Sequence, residues 1–128
     1  MREGKRTKGM AQNAAQETLA RFLSYLEHDP DNAALLRDAA DAATLANEPA
    51  TAATLYAKLE AVDALSDAEA NLAGVAAMRS GDQATAQRHF DALLARHPDD
   101  SNLKFNLAWS LALDGDTEQA LARLDEAT

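Results

Sequence analysis

Apolar residues return every three or four positions along most of this chain, and short clusters of Gly, Asn, Asp and Pro interrupt them. That period places the apolar side chains on one face of an α-helix. With only 5 glycines and 3 prolines in 128 residues, little in the chain breaks long helices. The pattern predicts an all-α fold with a lead helix over 12–28 and six further helices over about 32–46, 49–62, 67–80, 83–96, 100–113 and 117–127.

The turns between these helices share a chemistry that repeats. Gly81 and Gly115 lie 34 residues apart, and Asn47 lies 34 residues before Gly81. These residue types tolerate the left-handed backbone conformation that ends a helix. Each is followed by an acidic residue that suits the start of the next helix, namely Glu48, Asp82 and Asp116. The sequence therefore contains the same helix–turn–helix corner three times.

Bulky and small apolar residues follow the same interval. The bulky positions are Phe22, Tyr56, Phe90 and Leu124. The small positions are Ala52, Ala86 and Ala120 early in each second helix, and Ala40, Gly74 and Ala108 midway along each first helix. Small residues at facing positions let two helices approach closely, and we expect the bulky residue to fill the gap beside their contact. Pro30, Ala64 and Pro98 then close the second helices.

These residues resemble the tetratricopeptide repeat family, whose unit has a small residue in its first helix, then Ala, an aromatic residue and Pro in or after its second. The stretch NLAGVAAMRSGDQATAQRHFDALLARHP fits this pattern best. Two departures are Lys104, where the family often has Trp, and Thr128, which comes before any closing proline. The resemblance implies a right-handed helical-repeat solenoid of three helix pairs preceded by a capping helix.

The predicted domain covers residues 11–128, with repeats over about 33–66, 67–100 and 101–128. Residues 1–10 carry four Lys or Arg and one Glu, a formal charge of +3. We expect them to be a disordered basic leader or a remnant of an expression tag.

Charge and composition narrow the classes of partner. The formal net charge is −9, so the residues after position 10 carry −12. Such a charge disfavours nucleic acid and favours a basic partner. No apolar run is long enough for a membrane span and no secretory signal precedes the domain, so the expected location is cytoplasmic.

Candidate chemistry is sparse. The segment DGDTEQALARLD resembles a calcium loop, but Gln119 stands where that loop needs Gly. His28, His89 and His97 have no familiar metal or acid–base spacing, and we expect His89 to face solvent. The chain contains no cysteine and no catalytic or phosphate-binding motif. The sequence therefore predicts neither an enzyme nor a cofactor or metal.

One helix is apolar over an unusually wide arc, the segment NLKFNLAWSLAL. Leu107, Ala108 and Leu111 form the stripe expected to face the partner helix, while Phe105, Trp109, Ala112 and Leu113 form a second stripe. By the family resemblance, this second face of each first helix lines a concave groove. Its counterparts are Asn71, Val75, Met78 and Arg79 one repeat earlier, and Arg37, Asp41, Thr44 and Leu45 two repeats earlier.

The predicted partner-binding residues are Arg37, Asp41, Asn71, Val75, Met78, Phe105 and Trp109. The predicted function is a non-catalytic module that holds a protein segment, a peptide or a helix, in this groove. Alternatives are a spacer that forms a homodimer, an accessory domain of a larger protein, and coverage of the aromatic stripe by a further segment of the same protein. A clamp for chaperone C-termini is disfavoured, because Arg37 suits a terminal carboxylate but Asp41 repels it.

Overall fold

In the computed structural model, the described residues are 2–116 and 118–122. Six helices have defined bounds: α1 (Arg2–His28), α2 (Ala33–Leu45), α3 (Pro49–Val62), α4 (Asp67–Ser80), α5 (Gln83–Arg96) and α6 (Ser101–Leu113). Residues 118–122 are also helical, and the rest of the predicted helix over 117–127 lies outside the described residues. The all-α prediction is confirmed, and α2 to α6 begin and end within one residue of the predicted positions.

Helix α1 differs from the prediction at its N-terminal end. It begins at Arg2, whereas the sequence predicts disorder over residues 1–10 and a helix from residue 12. No proline lies between Arg2 and His28, so no residue in this stretch blocks the helical backbone. Gly4 and Gly9 each weaken a helix by about 1 kcal/mol without ending it. The structure therefore has a helix where we expect a disordered leader.

The chain divides into two compact units, residues 1–64 and 65–128. In the first unit, α2 packs against both α1 and α3. In the second unit, α5 packs against both α4 and α6.

The predicted helix corners are confirmed. Asn47, Gly81 and Gly115 have positive φ angles of 59°, 95° and 88°, which is the left-handed conformation expected of these residues. Asp82 caps α5 by accepting a hydrogen bond from a backbone N–H three residues on, at 3.2 Å. Glu48 forms no side-chain cap bond and is followed by proline at the first helical position, a residue whose fixed φ suits that position.

A second set of helix caps, which was not predicted, also repeats every 34 residues. Asn32, Ser66 and Asp100 precede α2, α4 and α6, and each side chain accepts a hydrogen bond from the backbone N–H three residues on, at 3.1, 3.1 and 3.2 Å. At α4 the bond is reciprocal, because Glu69 Oε1 accepts from the Ser66 N–H at 2.9 Å. Each cap satisfies one of the backbone donors that the first turn of a helix leaves unpaired.

The core of the second unit forms around Phe90, whose side chain has no exposed surface. A Cβ added to Gly74 would lie 2.7 Å from Phe90 Cε1, so the ring packs directly against the bare backbone of α4. The other members of this core are Ala70, Ala77, Ala86, Leu93, Leu103, Leu107, Leu111 and Ala120. In the first unit Tyr56 is buried, as are Ala40 and Ala52. These small and bulky positions match the predicted pattern, whereas Phe22 is only partly buried and Leu124 lies outside the described residues.

Among the described residues of the second unit, three polar side chains are buried: Gln83, His89 and Ser110. Ser110 Oγ donates to Gln83 Oε1 at 2.7 Å, and Gln83 Nε2 donates to the Met78 carbonyl oxygen at 3.0 Å. The prediction that His89 faces solvent is wrong, because its side chain is only 6% exposed. His89 lies three residues after Ala86 and four before Leu93, a spacing that places it on the buried stripe of α5.

Candidate protein-binding surface

Helix α6 presents apolar side chains on two sides. Its buried side contributes Leu103, Leu107 and Leu111 to the core. Its other side carries Phe105, Trp109 and Leu113, which are 50%, 53% and 54% exposed. We refer to these three residues as the α6 aromatic face. Their spacing of four residues aligns them along one side of the helix. This side of α6 therefore presents three large apolar side chains that are about half exposed.

The two rings of the α6 aromatic face are stacked. The centroids of Phe105 and Trp109 lie 6.3 Å apart, and the ring planes differ by 18°. This distance falls within the range of favourable aromatic pairs. Since each ring restricts its neighbour, a partner meets a preordered surface and less side-chain entropy is lost on binding.

A concavity adjoins this face at the C-terminal ends of α4 and α6. Its volume is about 520 Å³, and its lining consists of Met78, Arg79, Gly81, Gln83, Trp109, Leu113 and Asp114. We refer to it as the α6 concavity. Trp109 and Leu113 belong to both the face and the concavity, so the two features form one continuous surface within the second unit.

The remaining predicted residues of the second unit lie near this surface but are less accessible. Val75 and Met78 are partly buried and pack against the core. Asn71 is also partly buried, and its Oδ1 accepts a long hydrogen bond from Asn106 Nδ2 at 3.5 Å. Of these three, Met78 lines the α6 concavity, whereas Asn71 lines a different cleft, of about 270 Å³, beside the start of α4.

In the first unit, the two predicted residues differ in their surroundings. Arg37 Nη2 lies 3.1 Å from Asp63 Oδ2 and donates to the Ala64 carbonyl oxygen at 3.3 Å. Arg37 therefore binds the residues that follow α3, where a cation also suits the helix dipole. Asp41 is exposed. A ligand of Arg37 would compete with these contacts, which no local sequence pattern indicates.

An ion-pair cluster joins the start of α4 to the end of α5. Asp67 Oδ1 lies 2.6 Å from Arg96 Nη2, and Asp67 Oδ2 lies 2.7 Å from His97 Nε2. The hydrogen bonds with His97 and then Arg96 hold the pKa of Asp67 below its ordinary value. All three side chains are about half exposed. The cluster therefore ties two helix ends together at the surface.

Among the residues that the structure describes, no group of three or more His, Cys, Asp or Glu side chains is arranged to hold a metal ion. None of the helices, as far as the structure describes them, has the length and apolar character needed to cross a membrane.

The fold places the chain in the class of all-α helical-repeat proteins. Residues 71–128 match the family model described as "Tetratricopeptide repeat". The resemblance to this family that the residues indicate is therefore confirmed over residues 71–128. No curated protein sequence matches the chain significantly.

Solved structures share the fold over most of the chain. The structure titled "MamA MSR-1 C2" has a TM-score of 0.77 and 19% identity, and the match covers 89% of this chain and 66% of that one. "Crystal structure of MamA" has a TM-score of 0.70 and 18% identity, with 97% and 70% covered. "Crystal structure of MamA protein" has a TM-score of 0.69 and 12% identity, with 88% and 62% covered. The chain therefore spans about two thirds of the length of these proteins, and at these identities the likeness is one of fold.

Proposed function

We propose that the chain is a non-catalytic protein-interaction module that binds a segment of another protein on the α6 aromatic face and in the α6 concavity. Its tetratricopeptide repeats support a role in protein interaction in general. The observation that carries the specific proposal is the half-exposed, stacked pair of Phe105 and Trp109 beside a concavity. Contiguous exposed apolar surface of this kind is typical of interaction sites.

The size of the aromatic groups makes them suitable anchors. An aromatic side chain presents about 150–250 Å², so covering the exposed half of each ring removes on the order of 100 Å² from water. At about 25 cal/mol per Å², each ring would contribute about 2–3 kcal/mol to binding. Trp is also among the residues that most often dominate binding energy.

The occupant we propose is a neutral or basic segment of a different protein. The chain has a formal net charge of −9, and Asp114 lies in the α6 concavity itself. Two copies would approach each other with the same net charge of −9, and like net charges disfavour association. Charge therefore favours another protein over a second copy.

The test uses short synthetic peptides without Trp or Tyr. Their Leu and Phe residues recur at helical spacing, so that they lie on one face, and Lys residues occupy other positions. Binding is measured by isothermal titration calorimetry against the wild type, the Phe105→Ala/Trp109→Ala double variant and Tyr25→Ala. Tyr25 is a matched control, because it is an aromatic residue on α1 that is also 53% exposed. We expect the double variant to lose binding and Tyr25→Ala to retain it, with helicity unchanged in both.

Two outcomes would overturn the proposal. One is that no peptide binds, or that the double variant binds as well as the wild type. The other is self-association, which sedimentation velocity would detect as a sedimentation coefficient that rises with protein concentration in the wild type but not in the double variant.

A further inference from the structure

We propose that the α6 aromatic face and the α6 concavity together recognise a segment in which an Arg or Lys adjoins the apolar anchors. The cation would be bound beside Asp114 at the C-terminal end of α6. This inference rests on the proposed function and adds the chemistry and the position of the charged contact. The apolar anchors would lie along Phe105 and Trp109, and the cation would follow them toward Asp114.

The C-terminal end of α6 is electrically negative. Backbone carbonyls give the C-terminal end of a helix a partial negative charge. Helices α4 and α5 have Arg79 and Arg96 in their last turns, whereas α6, like α2 and α3, has no basic residue in its last turn. The C-cap residue of α6 is Asp114, while the Asp116 carboxylate caps the next helical segment by accepting from the Gln119 N–H at 3.2 Å. The end of α6 therefore adds the Asp114 carboxylate to the negative end of the helix dipole, without a basic side chain in its last turn.

The Asp114 carboxylate also lies close to the apolar side chains of the proposed binding surface. Asp114 lines the α6 concavity together with Trp109, Met78 and Leu113. Its Oδ2 accepts a long hydrogen bond from Gln87 Nε2, at 3.5 Å. An Arg or Lys side chain could lay its apolar stem on Trp109 and Leu113 while its charged head reaches the carboxylate. A cation over a tryptophan ring is itself attracted by the ring.

Arg79 is the basic residue in the same lining. It lies in the last turn of α4, where its charge complements the dipole of that helix. The negative carboxylate of the α6 concavity therefore lies on the side formed by α6, and we expect the cation to bind there.

The experiment compares two peptides of the same apolar sequence, one with Arg after the anchors and one with its neutral analogue citrulline. Each is titrated against the wild type, Asp114→Asn and Asp91→Asn. Asp91 is the control, because it is an exposed acidic residue on α5. We expect the wild type and Asp91→Asn to bind the Arg peptide about two- to fivefold more tightly than the citrulline peptide, as for other exposed ion pairs. In Asp114→Asn that difference should disappear.

The outcomes separate this inference from the proposed function. Equal affinity of the wild type for both peptides, with binding still lost in Phe105→Ala/Trp109→Ala, would overturn the inference and leave the proposed function standing. An Arg preference that persists in Asp114→Asn would overturn the assigned position. If neither peptide binds, the proposed function fails as well.

Discussion

Gly74→Ala gives the sharpest test of the helix pairing in the second unit. An Ala in place of Gly inside a helix ordinarily stabilises by about 1 kcal/mol. Here the added methyl would lie 2.7 Å from Phe90 Cε1 and 2.9 Å from Cζ, well inside the usual carbon–carbon contact distance of about 3.5–4.0 Å. Phe90 has no exposed surface, so its ring can move only by displacing other core residues.

The expected result is the balance of these two effects. Overpacking a core costs about 1–3 kcal/mol, so Gly74→Ala should lower the free energy of unfolding by about 0–2 kcal/mol despite its better helix propensity. The larger Gly74→Leu, and Ala86→Leu on the facing helix, should each cost about 1–3 kcal/mol. Urea unfolding followed by circular dichroism and by Trp109 fluorescence measures these changes, since Trp109 lies in the same unit as Gly74.

A double-mutant cycle isolates the clash from the helix propensity. Phe90→Leu removes the ring atoms that meet the new methyl, so in that background Gly74→Ala should stabilise by about 0.5–1 kcal/mol. Whether Gly74→Ala stabilises or destabilises the protein thus depends on the residue at position 90. The reasoning would be refuted if Gly74→Ala stabilised the wild type and the Phe90→Leu variant equally.

Three further predictions concern other parts of the structure. Ser110→Ala should lower the free energy of unfolding by about 1–2 kcal/mol in urea titrations, because it leaves the buried Gln83 Oε1 without its donor; an unchanged value would show that this bond contributes nothing. Asp67→Asn should destabilise the protein near neutral pH, and the difference from the wild type should shrink as the pH falls through the titration range of an Asp carboxyl, because hydrogen bonds with His97 and Arg96 hold the folded pKa of Asp67 below its ordinary value and its contribution is lost when the carboxylate is protonated; a difference that grows on acidification would contradict this. Chelator should leave the Tm unchanged, and a calcium-induced rise of several degrees would instead support the loop that begins at Asp114.

Most of the fold could be predicted because the repeated turns depend on local backbone chemistry. Asn47, Gly81 and Gly115 are residues that tolerate a positive φ, and they mark each corner without any knowledge of tertiary contacts. The capping box that begins at Ser66 depends on an equally local pattern, a Ser followed three residues later by Glu, although it was not among the predicted features. The start of α1 was less visible, because a basic segment with two glycines has no strong helical pattern.

The candidate site was predictable only where it depends on helical spacing. Phe105 and Trp109 are four residues apart, so their shared face follows from the sequence, and the structure places both rings together. The contacts of Arg37 join residues 26 and 27 positions apart, and no local pattern indicates such pairs. The Ser110–Gln83 bond is of the same kind, with a separation of 27 residues.

Fluorescence of Trp109, the only tryptophan in the chain, tests the central claim most directly. In dilute protein its emission should be red-shifted and readily quenched by acrylamide, because the side chain is 53% exposed. Adding the Arg-containing apolar peptide should shift the emission to the blue and protect it from quenching, and Phe105→Ala should weaken that response while Tyr25→Ala leaves it unchanged. A blue emission that acrylamide cannot quench in the free monomer, or a red emission that no peptide alters, would contradict the proposal that this face is a binding surface.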